Sequence, residues 1–131
     1  MKIVFDTNVL ISGFLTTSGI SQSVFSIGIR RHVVICSEFI LEELEEKLMK
    51  KLEAPKESVE QLIIFLRKRA VVLSVPHDNE IKFSDANDIP VLSLVKVSKA
   101  NYFITGDRKL LEIKKMGPTL FLSPREAIEI L

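Results

Sequence analysis

The sequence predicts an α/β fold: a central parallel sheet of about five strands, with helices on both faces. Three observations predict it. Short, continuous apolar runs rich in Val, Ile and Phe recur along the chain, the pattern of strands buried on both faces. Segments with helical periodicity separate these runs. Such alternation implies parallel strands joined by crossover helices. No internal repeat, low-complexity tract or Pro/Gly-rich linker interrupts the 131 residues, so a single domain over 1–131 is expected.

Lys2–Phe5 (KIVF) is the first strand. It ends in the polar triplet Asp6-Thr7-Asn8, and a second apolar run follows. Phe14, Leu15, Ile20, Val24, Phe25 and Ile27 are assigned to the core, with an interaction surface as the other reading. Val33–Cys36 (VVIC) is the second strand. In the helix Ser37–Lys51, Ile40, Leu41, Leu44 and Leu48 form an apolar stripe that Leu52 continues, and Ser37 is its N-cap. Lys56–Arg69 carries Val59, Leu62, Ile63 and Leu66 on one stripe, with Pro55 near its start. Val71–Val75 (VVLSV) is the third strand, expected to be buried on both faces. Ile89–Lys99 is mostly apolar, as befits a helix packed on two sides, with Pro90 in its first turn. Tyr102–Thr105 (YFIT) and Thr119–Leu122 (TLFL) are the fourth and fifth strands. Ser123-Pro124-Arg125-Glu126 opens the last helix with a cap, a proline and a capping-box glutamate.

Composition narrows the function. The chain is 47% hydrophobic, enough for a core without disulfide or metal staples. Cys36 is the only cysteine, so no internal disulfide forms, which fits a reducing cytoplasm. The apolar run Val4–Leu15 is broken by Asp6, Thr7, Asn8, Ser12 and Gly13, so neither a signal peptide nor a membrane span is expected. With 18 basic and 17 acidic residues the net charge is +1. That gives no global footprint for nucleic acid, and any such role must rest on a local site. The charge runs Glu42–Lys51 and Arg67–Arg69 read as solvated helix faces.

In a parallel sheet, ligands bind beyond the carboxyl ends of the strands, and acids collect there. Asp6 follows the first strand directly, and Asp107 follows the fourth through Gly106. Asp85 and Asp88 stand three residues apart at the start of the Ile89 helix. Glu42 and Glu43 lie one turn into the helix after the second strand. Each has a structural reading: Asp6 or Asn8, Asp107, and the Asp85–Asp88 pair as caps and turns, Glu42 and Glu43 as surface. Together they repel one another unless a cation neutralises them. Oxygen ligands select a hard ion, Mg²⁺ or Mn²⁺, over zinc. Glu42 and Glu43 flank the apolar stripe equally, so periodicity does not choose between them.

The runs VFDTNVLISG, then EEL in the helix after the second strand, then DANDIPVL, then ANYFITGDRKLL together resemble the PIN domain family. Among its branches they resemble the stand-alone prokaryotic toxins of VapBC-type toxin–antitoxin systems. The resemblance covers nearly the whole chain and implies a three-layer PIN-like fold. It also implies a Mg²⁺- or Mn²⁺-dependent endoribonuclease that hydrolyses single-stranded or structured RNA and leaves a 5′-phosphate and a 3′-hydroxyl. Matched motif by motif, the catalytic acids are Asp6, Glu43, Asp88 and Asp107. Asp85 joins them as an accessory metal ligand, and Thr7, Asn8 and Thr105 are accessory polar residues. The resemblance selects Glu43 over Glu42. Relatives often carry aspartate where this chain has Asn87 and Asn101, neither of them a principal acid.

Arg108, Lys109, Arg30 and Arg31 are candidate contacts to RNA phosphates, with solvated surface as the other reading. His32 and His77 lie outside the motifs, and Cys36 reads as core. The expected partners are an RNA substrate, a cognate antitoxin protein and further copies of the chain, with no membrane. A phosphatase that uses the aspartate after its first strand needs a second aspartate at the position of Asn8. A receiver domain wants an acid pair after the first strand and a lysine late in the chain, and the motif order argues against it. The remaining alternative is a non-catalytic PIN-fold module that binds RNA or protein.

Overall fold

In the computed structural model, which describes residues 1–131 throughout, the run Lys2–Phe5 forms the central strand β1. Ile3, Val4 and Phe5 are all buried. Successive strand residues face opposite sides, so this strand is covered on both faces. The chain continues through helices α1 (Thr7–Leu15) and α2 (Ile20–Arg31) to strand β2 (Val33–Ser37). Helix α3 (Glu38–Glu46) runs on into a π-helical turn, Lys47–Lys51, and α4 (Lys56–Arg69) leads to the short strand β3 (Val71–Leu73). A long loop ends in a 3₁₀ turn at Ala86–Asp88, and α5 (Ile89–Ser98) then leads to β4 (Tyr102–Ile104). Helix α6 (Arg108–Leu111), strands β5 (Lys115–Met116) and β6 (Thr119–Leu122), and helix α7 (Pro124–Ile130) complete the fold.

The strand order is β3-β2-β1-β4-β6-β5. Every pairing from β3 to β6 is parallel, and only β5 runs antiparallel, against β6. The chain builds the β2–β3 side of β1 first and then returns to place β4 on the other side. The reversal of strand order therefore falls between β1 and β4, and their carboxyl ends open the crevice where such sheets bind ligands. The core is continuous across the sheet. Phe103 and Phe121, paired on β4 and β6, meet edge to face at 5.0 Å. Helix α2 crosses close to the sheet at Gly28, where an added Cβ would lie 2.8 Å from Cζ of Phe5.

Several elements differ from the sequence reading. The sheet has a sixth strand, β5, whose two residues carry no apolar run that periodicity can detect. The third strand stops at Leu73 and is an edge strand rather than a fully buried one, with Val71 47% exposed. The fourth strand stops at Ile104, which puts Thr105 just beyond the sheet edge. The helix after β2 is regular only to Glu46, its apolar stripe ends with Leu48, and Leu52 is exposed. Of the six residues assigned to core after the first strand, Val24 is fully buried and Phe14, Phe25 and Ile27 are partly covered, whereas Leu15 and Ile20 are exposed. The caps agree with the sequence: Ser37 Oγ accepts from the Ile40 amide, and Ser123 and Glu126 form a capping box.

Candidate active site

Asp6 sits where β1 stops, nine-tenths buried. A capping aspartate would accept a hydrogen bond from the first turn of α1 through its side chain, and Asp6 makes no such cap. Instead its Oδ2 accepts from the Thr105 hydroxyl at 2.7 Å. Thr105 is fully buried, and its hydroxyl also accepts from the Asp107 amide at 3.1 Å. One threonine thus ties the acid after β1 to the backbone of the acid after β4. Asp107 Oδ1 accepts from the Lys109 amide at 2.8 Å, the cap of α6. Asp85 Oδ1 accepts from the Asn87 amide at 2.9 Å and caps the 3₁₀ turn. Each of these two acids spends one oxygen on its cap and keeps the other free, while Asp88 makes no side-chain cap at all.

These residues line one cavity of about 550 Å³ at the carboxyl edge of the sheet: Asp6, Glu43, Asp85, Asp88 and Asp107, with Asn8 and Asn87 beside them. Glu43 faces this space, whereas Glu42 is exposed and lies outside it. Thr7 is buried and does not line the cavity. The four cations singled out in the sequence do not reach the wall. Arg30 lines a separate groove formed with α1 and α4, and Arg31, Arg108 and Lys109 are exposed. The lysines that do line it are Lys47 and Lys51, and His77 and Phe39 form another part of the wall. The sequence reading sets His77 outside the motifs, takes the Glu42–Lys51 run as a solvated face and passes over Phe39, yet Phe39, Lys47 and Lys51 each stand a multiple of four residues from Glu43 on one helix face. Such spacing is the signal that would have found them. His77 comes from an irregular loop and carries no such signal. His32 lies elsewhere, beside the amino terminus. Asn101 works at the opposite end of the sheet, where its Oδ1 accepts from the Lys2 amide at 2.9 Å.

The electrostatics show crowding. Asp88 has its carboxyl pushed up to about 6, first by burial and then by the negative charges of Asp85, Asp6, Asp107 and Glu43. Burial also raises the Asp6 carboxyl above its ordinary range. The Thr105 hydroxyl and the Thr7 amide oppose that shift, and Glu43 adds to it. Lys47 offers compensation nearby, 4.0 Å from Glu43. By contrast Cys36 is buried, with its thiol pushed up to about 12, and is chemically quiet.

A divalent cation fits this donor set by chemistry: several carboxylate oxygens, a surplus of negative charge, and water access. No three Asp, Glu, His or Cys side chains stand close enough to form a metal-holding group as they are. No helix is long and apolar enough to cross a membrane.

A family model described as the PIN domain matches residues 2–109. No curated protein matches the chain in sequence. Among solved structures the chain is similar to that of VapBC2 from Rickettsia felis bound to a DNA fragment from their promoter. The TM-score is 0.69 at 17% identity, covering 94% of this chain and 98% of the other. That likeness carries the fold, and the family match spans every acid that lines the cavity. The chain belongs to the PIN domain family.

Proposed function

We propose that this PIN domain is a Mg²⁺- or Mn²⁺-dependent endoribonuclease and the toxin of a toxin–antitoxin pair. The observation that carries the nuclease reading is the single cavity into which five carboxylates project, with Asp88 pushed up to about 6 by the others. Asp6, Glu43, Asp88 and Asp107 would hold the cation, with Asp85 as accessory. When bound, the ion would supply an activated water and neutralise charge developing on the phosphodiester. The chain's own part is to present oxygens. Thr105 fixes the Asp6 carboxylate, and the caps at Asp85 and Asp107 leave one oxygen of each free. Hydrolysis by water leaves a 5′-phosphate and a 3′-hydroxyl, with no part for the 2′-hydroxyl. The toxin reading draws on the fold shared with VapBC2, and an antitoxin protein is the expected partner.

The test is cleavage of a labelled RNA pool by the wild-type chain and by Asp6→Asn, in Mn²⁺, Mg²⁺ or EDTA. Cleavage that needs the metal and disappears in Asp6→Asn supports the reading. Cleavage that persists in EDTA, or survives in Asp6→Asn, contradicts it.

A further inference from the structure

The sequence places Phe39, Glu43, Lys47 and Lys51 at successive intervals of four. At 3.6 residues per turn, such a series drifts about 40° around a helix at each step. All four nevertheless line the cavity. Lys47–Lys51 forms a π-helical turn, the kind of wider turn that recurs at functional sites. It slows the rotation where the drift would carry Lys51 away. Leu48, within the same turn, stays in the core. The result is a stripe on one helix that reads aromatic, acid, base, base.

The loop between β3 and α5 meets this stripe at its aromatic end. The ring of His77 stands 5.8 Å from that of Phe39, nearly perpendicular at 87°. The loop is fastened beside it. Asp78 accepts from Lys96 Nζ at 2.7 Å and from the Glu80 amide at 2.9 Å, and its own amide donates to Ser93 Oγ at 2.9 Å. Phe39 and His77 also line a second depression of about 370 Å³ on the other side. The two rings therefore form a ridge between the acidic cavity and a neighbouring hollow.

Aromatic rings beside lysines match the chemistry of single-stranded nucleic acid. Every unpaired base has a π-face that stacks on an aromatic ring, and lysine attracts phosphate. Bases inside a duplex are already stacked and offer no free face. We propose that this stripe is the track of a single-stranded RNA. An unpaired base seats on the Phe39–His77 ridge, and adjoining phosphates lie along Lys47 and Lys51. That path carries the backbone past the carboxylates. The proposal rests on the nuclease reading and names the residues that hold its substrate.

The experiment measures binding by fluorescence anisotropy in Mg²⁺, with Asp6→Asn in every chain so that RNA is not consumed. The probes are a labelled single strand of random sequence, a duplex of the same length and an abasic strand. His77→Ala and Phe39→Leu should each weaken binding of the single strand about tenfold and leave the abasic strand unaffected. His77→Phe should restore it. Lys47→Ala and Lys51→Ala should each lower the salt-dependence slope by about 0.7. Unchanged single-strand binding in His77→Ala, which lies on an exposed loop and keeps the helix intact, overturns the proposal whatever Phe39→Leu does. So does an equal loss on the abasic strand, or a duplex bound as tightly as the single strand. If the parent chain binds no RNA in any form, the track falls, and the nuclease reading falls with it only if the wild-type chain also cleaves none in Mg²⁺ or Mn²⁺. If the parent binds and the ring variants bind equally, only the track falls.

Discussion

At the scale of single residues, the site depends on what each carboxylate does with its oxygens. Asp6 differs from an ordinary strand-end aspartate because its side chain does not cap the helix that follows and instead accepts from Thr105. Thr105→Val removes that hydroxyl while keeping the shape, so Asp6 loses its orientation. Outer-shell changes of this kind cost about 10- to 100-fold in metal affinity or activity. A titration of Mn²⁺ into Thr105→Val checks this, and wild-type affinity would dismiss the link. Asp88 makes a second prediction. Its folded-state value of about 6 lies above the ordinary 3.8, so the folded chain holds the proton more tightly than the unfolded one. The stabilisation is fully present below pH 3.8 and is lost as the pH rises through about 6. Asp88→Asn should therefore raise the urea midpoint in EDTA at pH 7 and match wild type near pH 4. A difference that does not change with pH would show that Asp88 is not crowded. Asp6, Asp85, Asp88 and Asp107 were legible because each stands beside a strand end or helix start that the apolar pattern marks, whereas Glu43, inside α3, was selected over Glu42 only by the family resemblance. Their mutual repulsion followed from their convergence on one edge, but the burial of Asp6 and Asp88 did not, since it depends on how the elements around them pack.

At the scale of elements, most strands and helices follow from apolar spacing, and the departures have local causes. Strand β3 is short because it is an edge, and Val-rich runs do not reveal whether a neighbour covers them. Strand β5 is two residues long and exists only by pairing with β6. The π turn at Lys47–Lys51 is invisible to an assignment based on a 3.6-residue period, because Leu44 and Leu48 fit that period on either side of its start. Helix α2 depends on one small residue. Gly28→Ala would push a methyl into the Phe5 ring, which also meets Phe25 of the same helix edge to face at 5.7 Å. Overpacking of this kind costs about 1–3 kcal/mol, read as a lower urea midpoint with an unchanged slope. Wild-type stability in that variant would mean that α2 moves freely off the sheet.

At the scale of the whole molecule, topology assembles the chemistry. Asp6 and Asp107 are far apart in sequence, and they meet because β4 is laid beside β1 after the chain has built the other side of the sheet. The acids on α3 and at the head of α5 arrive at the same edge because the strands before and after them run parallel. The fold concentrates negative charge at one point of a chain whose net charge is only +1. A cation that binds there stabilises the folded chain by about 2.7 kcal/mol at a hundredfold excess over its Kd. The most direct test is therefore a calorimetric titration of Mn²⁺ into metal-free protein at pH 6, with Asp6→Asn and Asp107→Asn alongside. Binding is independent of which RNA the enzyme prefers, so a narrow substrate does not obscure it. The account predicts binding with release of protons, because Asp88 is partly protonated at that pH, and strong weakening in both variants. Absence of binding by the folded wild-type chain, or equal binding by all three, would contradict it.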